Sequence, residues 1–200
     1  MNLPNRLSIL RIIMVPVFAV LYYLTAIPYN FAVSAAIFAL AALTDFLDGF
    51  IARKYNLVTD LGKFLDPIAD KTLVSTALIL LLVPPEGTVV LPWYAGIMVA
   101  VIIARELIIS GLRLVAAGKG MVISADTAGK IKTFFTDISI IAILVSAEIS
   151  PEIFGVENTI GTVLLAVSTL LTVISGAECI VKNRAVLKTP EKKPDTQIGK

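Results

Sequence analysis

Histidine is absent from all 200 residues, and cysteine occurs once, as Cys179. The first absence removes imidazole, so any metal has to be held by carboxylate oxygens, hard donors that suit Mg²⁺ or Mn²⁺. The second excludes an internal disulfide. Charge is scarce as well: charged residues make up 16% of the chain against 57% hydrophobic residues, and the formal net charge is +2. A chain this short cannot hide so much apolar surface inside a water-soluble globule, which makes lipid the expected solvent. So weak a positive balance implies no nucleic-acid or acidic partner. The opening run, Met1-Asn2-Leu3-Pro4-Asn5-Arg6, enters an apolar stretch with no small-residue cleavage site, so no removable signal peptide is expected.

What is present is a series of long apolar segments, roughly 8–26, 31–52, 66–84, 91–117, 127–148 and 157–181, separated by short breaks rich in Pro, Gly, Asn or charge. Uninterrupted runs such as Leu73 to Val83 do not alternate, which argues for helices rather than barrel strands. The expected architecture is therefore an all-α membrane domain of six transmembrane helices over residues 1–188, with a polar, mobile cytoplasmic tail over 189–200. Lys and Arg concentrate at one end of these segments: Arg6, Arg11, Arg53, Lys54, Lys63, Lys119, Lys130, Lys132, Lys182, Arg184, Lys188, Lys192 and Lys193. The opposite breaks, Thr25–Asn30, Pro84–Leu91 and Glu148–Asn158, contain none. By the positive-inside rule both termini face the cytoplasm. Tyr22, Tyr23, Tyr29, Trp93 and Tyr94 gather near the outer breaks, as interfacial anchors do.

Acidic residues inside such helices ask for a reason, because a carboxylate in lipid is costly. Asp45 and Asp48 stand three apart near the end of the second segment, on one helical face with Gly49 and Ala52. Asp66 and Asp70 stand four apart at the start of the third. A link of about a dozen residues makes the two segments antiparallel neighbours whose acids face each other. Four carboxylates in one low-dielectric pocket cannot all ionise without cations. Two divalent ions would satisfy them and clamp phosphoryl oxygens. A structural charge network, with Arg53, Lys63 and Lys71 pairing the aspartates, is the other reading. The small residues Gly49, Ala52 and Gly62 favour a site, since they leave room for a bulky polar ligand.

The string Asp45-x₂-Asp48-Gly49-x₂-Ala52-Arg53-x₈-Gly62-x₃-Asp66-x₃-Asp70 resembles the complete signature of the CDP-alcohol phosphotransferases, with eight fixed positions over 26 residues. The resemblance implies a six-helix domain in a prokaryotic cell membrane, usually a homodimer, with a cytoplasm-facing polar cavity. It implies that Asp45, Asp48, Asp66 and Asp70 bind two metal ions, that Asp70 is also the general base, and that Gly49, Ala52, Arg53 and Gly62 hold the CDP moiety.

Outside the signature the chain is similar to the phosphatidylglycerophosphate synthase branch in Asn5 to Arg11, Gly62 to Pro67, Ala104-Arg105-Glu106 through Gly111-Leu112-Arg113, and Gly129 to Thr133. Thr136 and Asp137 stand where that branch commonly has a Gln. The branch implies CDP-diacylglycerol and glycerol-3-phosphate as substrates, with membrane lipid around them. A dianionic acceptor phosphate needs cationic donors, and Arg105, Arg113, Lys130 and Lys132 are the candidates. Arg105 and Arg113, eight apart, share the cytoplasmic half of the fourth segment; pairing of Arg105 with Glu106 is the alternative. Asn5, Ser8 and Arg11 either cap the cavity from an interfacial segment or anchor the N-terminus. The rival functions are a same-family transferase acting on serine or inositol phosphate and, from another class, a small cation transporter.

Overall fold

A computed structural model of the chain describes residues 3–55, 60–86, 88, 90–121, 123, 127–149 and 159–184. All regular structure among them is helical: α1 (Leu3–Tyr23), α2 (Asn30–Lys54), α3 (Asp60–Leu82), α4 (Ala95–Gly118), α5 (Thr127–Ile149) and α6 (Thr159–Lys182). Each apolar segment of the sequence is one helix. Residues 189–200, expected to form the polar tail, lie outside the described residues. So do Glu152 and Glu157 of the last outer break.

At 21 to 25 residues, a helix rising 1.5 Å per residue is about 32–37 Å long, enough to cross a hydrocarbon core. Parts of α1, α4 and α6 meet the length and hydropathy of a membrane span on composition alone. Their outward faces are apolar, with Leu107 66% and Leu114 76% exposed. Helices α2, α3 and α5 have similar lengths but carry the aspartates and lysines of the site.

The two largest departures from the expected helix boundaries lie at the charged end. Helix α1 begins at Leu3, because Asn5, Ser8 and Arg11 are buried against neighbouring helices rather than left in the interface. Helix α3 begins at Asp60, so the link after α2 is only the short stretch between Lys54 and Asp60, not a dozen residues. Its Pro67 cannot donate to the carbonyl four residues back, yet the helix continues through it.

The helices pack in a ring, α1 against α2, α2 against α5, α5 against α6, α6 against α4, and α4 against α3, which returns to α1. Helices α2 and α3 touch only slightly. They were expected to be direct neighbours; α1 stands between them instead, because its polar face satisfies acids on both. At the far end the core is aromatic and aliphatic. Phe18 lies 6.0 Å from Phe38 and 6.3 Å from Tyr22, and Tyr22 5.4 Å from Phe31, ring centre to ring centre. Tyr22 is therefore a core residue, 0% exposed, and not an interfacial anchor, whereas Trp93 is 88% exposed.

Local chemistry ends the helices. Beyond α4, Gly120 has φ 71°, a left-handed conformation that costs glycine little. It lets Met121 N–H reach Ala116 O at 2.9 Å and Gly120 N–H reach Ala117 O at 3.0 Å, the paired bonds of a Schellman cap. At the start of α2, Glu148 of α5 accepts hydrogen bonds from Phe31 N–H at 3.0 Å and Ala32 N–H at 3.3 Å. A carboxylate on two otherwise unpaired N–H groups suits a helix N-terminus.

Candidate active site

Polar residues recur every third position along the first turns of α1, at Asn5, Ser8 and Arg11, and all three are buried. This spacing makes one stripe of the helix polar. Ser8 Oγ donates to Asp66 Oδ1 of α3 at 2.5 Å. Arg11 Nη1 pairs with Asp45 Oδ1 of α2 at 2.6 Å, and its Nε donates to Ala41 O at 3.4 Å. The guanidinium is fully buried while the Asp45 side chain remains 41% exposed. Thus α1 joins the two halves of the aspartate motif, one donor to each. Nothing in hydropathy marks that role; the only signal was the three-residue period.

Asp70, one turn beyond Asp66, lines a narrow cleft walled by α3, α4 and α5. Lys71, Glu106, Lys132, Thr133 and Thr136 line it too. Asp45 of α2 and Asp66 of α3 are thus each bonded to α1, while Asp70 lines the cleft. The side chain of Asp48, and with it Gly49, Ala52, Arg53 and Lys63, lies outside the described residues. Gly62 is buried, in the first turns of α3.

Cations meet the acids from the α4–α5 side. Lys132 is 4% exposed and ion-paired with Glu106. Lys71 donates to Ser110 Oγ, and Ser110 donates to the Glu106 backbone carbonyl. Arg105 takes a different direction: Nη1 meets Glu106 Oε1 at 3.0 Å and Nη2 donates to Ser175 Oγ of α6 at 3.0 Å. It lies over Gly176, where an added Cβ would come within 3.0 Å of Arg105 Cγ. Arg105 is thus docked between α4 and α6, and is not among the cleft-lining residues. Arg113 and Lys130 are exposed near the same end. Of the four acceptor-phosphate candidates, only Lys132 lines the cleft.

The donor set fits a hard divalent ion, being carboxylate oxygen throughout. Among the described residues no three acids converge on one point. Asp48, three positions from Asp45 on α2, is the member of the set whose side chain is outside them.

A family model described as CDP-alcohol phosphatidyltransferase matches residues 1–174. The chain belongs to the CDP-alcohol phosphatidyltransferase family. Similar curated proteins bear the name CDP-diacylglycerol–glycerol-3-phosphate 3-phosphatidyltransferase. The one from Bacillus subtilis (strain 168) is 40% identical over 199 residues, covering 94% of this chain and 98% of the relative. That from Rickettsia bellii (strain RML369-C) is 38% identical over 175 residues, covering 88% and 91%. That from Salmonella paratyphi A (strain ATCC 9150 / SARB42) is 36% identical over 180 residues, covering 88% and 94%. The stretch shared with the CDP-alcohol phosphatidyltransferases takes in the whole aspartate motif and Arg11, Lys71, Arg105, Arg113, Lys130 and Lys132.

Proposed function

We propose that the chain transfers the phosphatidyl group of CDP-diacylglycerol to glycerol-3-phosphate, releasing CMP, and so serves phospholipid biosynthesis. The observation that carries this reading is the sharing of one cleft by Asp70 and Lys132. A substrate with a hydroxyl to deprotonate and a phosphate to neutralise needs a carboxylate and an ammonium side by side. The hydroxyl of glycerol-3-phosphate gives its proton to Asp70 and attacks the phosphorus that carries diacylglycerol; CMP leaves. Asp45, Asp48, Asp66 and Asp70 would hold two Mg²⁺ or Mn²⁺ ions, which when bound supply charge neutralisation for the diphosphate. Ser8 and Arg11 orient Asp66 and Asp45 for that task. Gly49, Ala52, Arg53 and Gly62 are assigned to the CDP moiety on the strength of the motif. Arg113 and Lys130 add positive field at the same end.

The far half of the interior supports a transferase over a cation transporter. Phe18, Phe38, Leu78 and Leu81 are all fully buried there, and their side chains offer no ligand to an ion at that depth. The proposed setting is six membrane spans, the cleft and both termini on the cytoplasmic side, in a homodimer. Cysteines introduced at Glu86 and Lys188 should label from opposite sides of the membrane, and labelling from the same side would overturn the six-span topology.

The decisive experiment measures CMP release from CDP-diacylglycerol by purified protein with Mg²⁺, comparing glycerol-3-phosphate, serine and inositol phosphate. Glycerol-3-phosphate should be the acceptor used. Faster turnover with serine would overturn the acceptor, and no CMP release with any of the three would overturn the transfer itself.

A further inference from the structure

Helix α6 contributes none of the residues that line the cleft, yet α4 and α5, two of the cleft's walls, both pack against it. Ser168, Thr172 and Ser175 stand four and three apart on α6, so they share one face, and all three are buried. Apolar side chains would pack a membrane helix there with no hydroxyl to satisfy. Two of these hydroxyls instead reach the neighbouring helices. Ser175 Oγ accepts from Arg105 Nη2 of α4 at 3.0 Å, and Ser168 Oγ lies 2.7 Å from Thr136 Oγ1 of α5. Each hydroxyl has a single proton, which fixes the directions. Thr136 donates to the Lys132 backbone carbonyl at 2.9 Å, so Ser168 is the donor to Thr136. Thr172 donates to Ser168 O at 2.7 Å and Ser175 to Thr172 O at 3.3 Å, and no proton is used twice.

Both arms of this network end on one ion pair. Ser175 holds Arg105, whose Nη1 meets Glu106, and Ser168 holds Thr136, which bonds the backbone of Lys132. Glu106 and Lys132 are paired between α4 and α5. Gly176 leaves the space that the first arm needs, since an added Cβ would stand 3.0 Å from Arg105 Cγ and 3.4 Å from its Nε. We infer that α6 is the positioning helix of the site: Ser175 and Gly176 set Glu106 through Arg105, Ser168 sets Lys132 through Thr136, and together they fix where the Lys132 ammonium stands relative to Asp70. These three are positioning residues, outside the cleft that the substrates enter. The inference rests on the transferase reading above and goes beyond it by giving a part to a helix that lines no wall of the cleft.

The test is steady-state kinetics of the full-length purified enzyme, with glycerol-3-phosphate and CDP-diacylglycerol varied separately. Ser175→Thr and Ser175→Val have nearly the same shape and differ in the hydroxyl. Ser175→Val should raise the KM for glycerol-3-phosphate by about fivefold, the scale of one net hydrogen bond, and leave kcat and the KM for CDP-diacylglycerol within about twofold. Ser175→Thr should stay within about twofold of the wild type in all three, since its hydroxyl still accepts from Arg105. Ser168→Thr and Ser168→Val should divide in the same way. Gly176→Ala removes no hydrogen-bonding group, but its Cβ displaces Arg105, so the acceptor KM should rise by about threefold or more. In an Arg105→Ala background Ser175→Val should have no further effect, because its influence passes through Arg105. Equal acceptor KM values for Ser175→Thr and Ser175→Val, or an undiminished effect of Ser175→Val in the Arg105→Ala background, would overturn the positioning role. If Arg105→Ala does not fold, the two Ser175 variants decide alone; if Ser175→Val does not, Gly176→Ala decides, and an unchanged acceptor KM there overturns the inference. Wild-type enzyme that does not use glycerol-3-phosphate at all would instead remove the transferase reading on which the inference stands.

Discussion

Where α1 begins, neighbouring helices are joined by charge: Ser8 to Asp66, Arg11 to Asp45, Lys132 to Glu106, and Arg105 to Ser175. At the other end they are joined by rings and by backbone. Tyr22 packs on Phe18 and Phe31, Tyr23 Oη donates to Val83 O at 2.7 Å, and Glu148 caps α2. Both ends belong to helices whose outward faces are apolar, so lipid contact alone does not account for the difference. Ionised groups are expensive in a membrane interior, and apolar packing would hold helices together there at lower cost. The charged end is therefore tolerated for what it does, and the aromatic end serves to hold it in register. The division makes a demand: substitutions at the charged end should cost turnover, those at the far end stability alone.

The largest effect should come from the acids. Asp45→Asn, Asp66→Asn and Asp70→Asn should each lower turnover by at least about a hundredfold, the scale seen when a preorganised electrostatic contact at a reacting centre is lost. Folding should survive, since Asn keeps the shape and Ser8 can still donate to its carbonyl oxygen. CMP release and detergent thermal midpoint, measured on the same preparations, check both halves. Near-normal turnover of Asp66→Asn without added metal would break the comparison at its centre and return the aspartates to a structural charge network.

Arg11 comes next because it belongs to both categories. Its guanidinium is fully buried and pairs with Asp45, so Arg11→Ala removes charge-assisted hydrogen bonds of about 1.5–3 kcal/mol in total. At about 2–4 °C per kcal/mol for a chain of this size, the thermal midpoint should fall by roughly 3–12 °C. Turnover should fall with it, because Asp45 loses the group that orients it. A lower midpoint with unaltered turnover of the folded fraction would make Arg11 a strut and not part of the site.

Much of this division is already visible in the chain as a string, and the part that is not has a physical cause. Hydropathy marks each helix to within a few residues, since length in lipid is set by the bilayer. The aspartate spacing points to the site, since acids at three- and four-residue intervals within apolar segments have few other uses. Which helix stands beside which is hidden, because a helix that is apolar all round does not announce its neighbour. Thus α1 between α2 and α3 could be found only through Ser8 and Arg11 meeting acids about 58 and 34 positions away. Arg105 looked like a phosphate ligand for the same reason. Its depth and charge are written in the sequence, but the Ser175 and Gly176 that turn it toward α6 are some seventy positions on. Tyr22 reads as an anchor beside Tyr23, although one helical step of about 100° separates a core face from a lipid face.

The smallest expected effect is the most selective test of the far end. Glu148 accepts from the N–H groups of Phe31 and Ala32, two of the donors that the first turn of α2 cannot satisfy internally. Its removal in Glu148→Ala leaves them without that acceptor, and capping losses of this kind are about 1 kcal/mol. The thermal midpoint in detergent should accordingly fall by about 2–4 °C. Glu148→Gln should recover part of it, since the amide oxygen still accepts while the charge that favours a helix N-terminus is gone. Turnover at 25 °C and both KM values should stay within about twofold, because α2 reaches Asp45 only about four turns later and a frayed first turn does not displace it. A tenfold loss of turnover in Glu148→Ala at unchanged folded fraction would show the two ends to be coupled through α2, and the separation between a holding end and a working end would have to be given up.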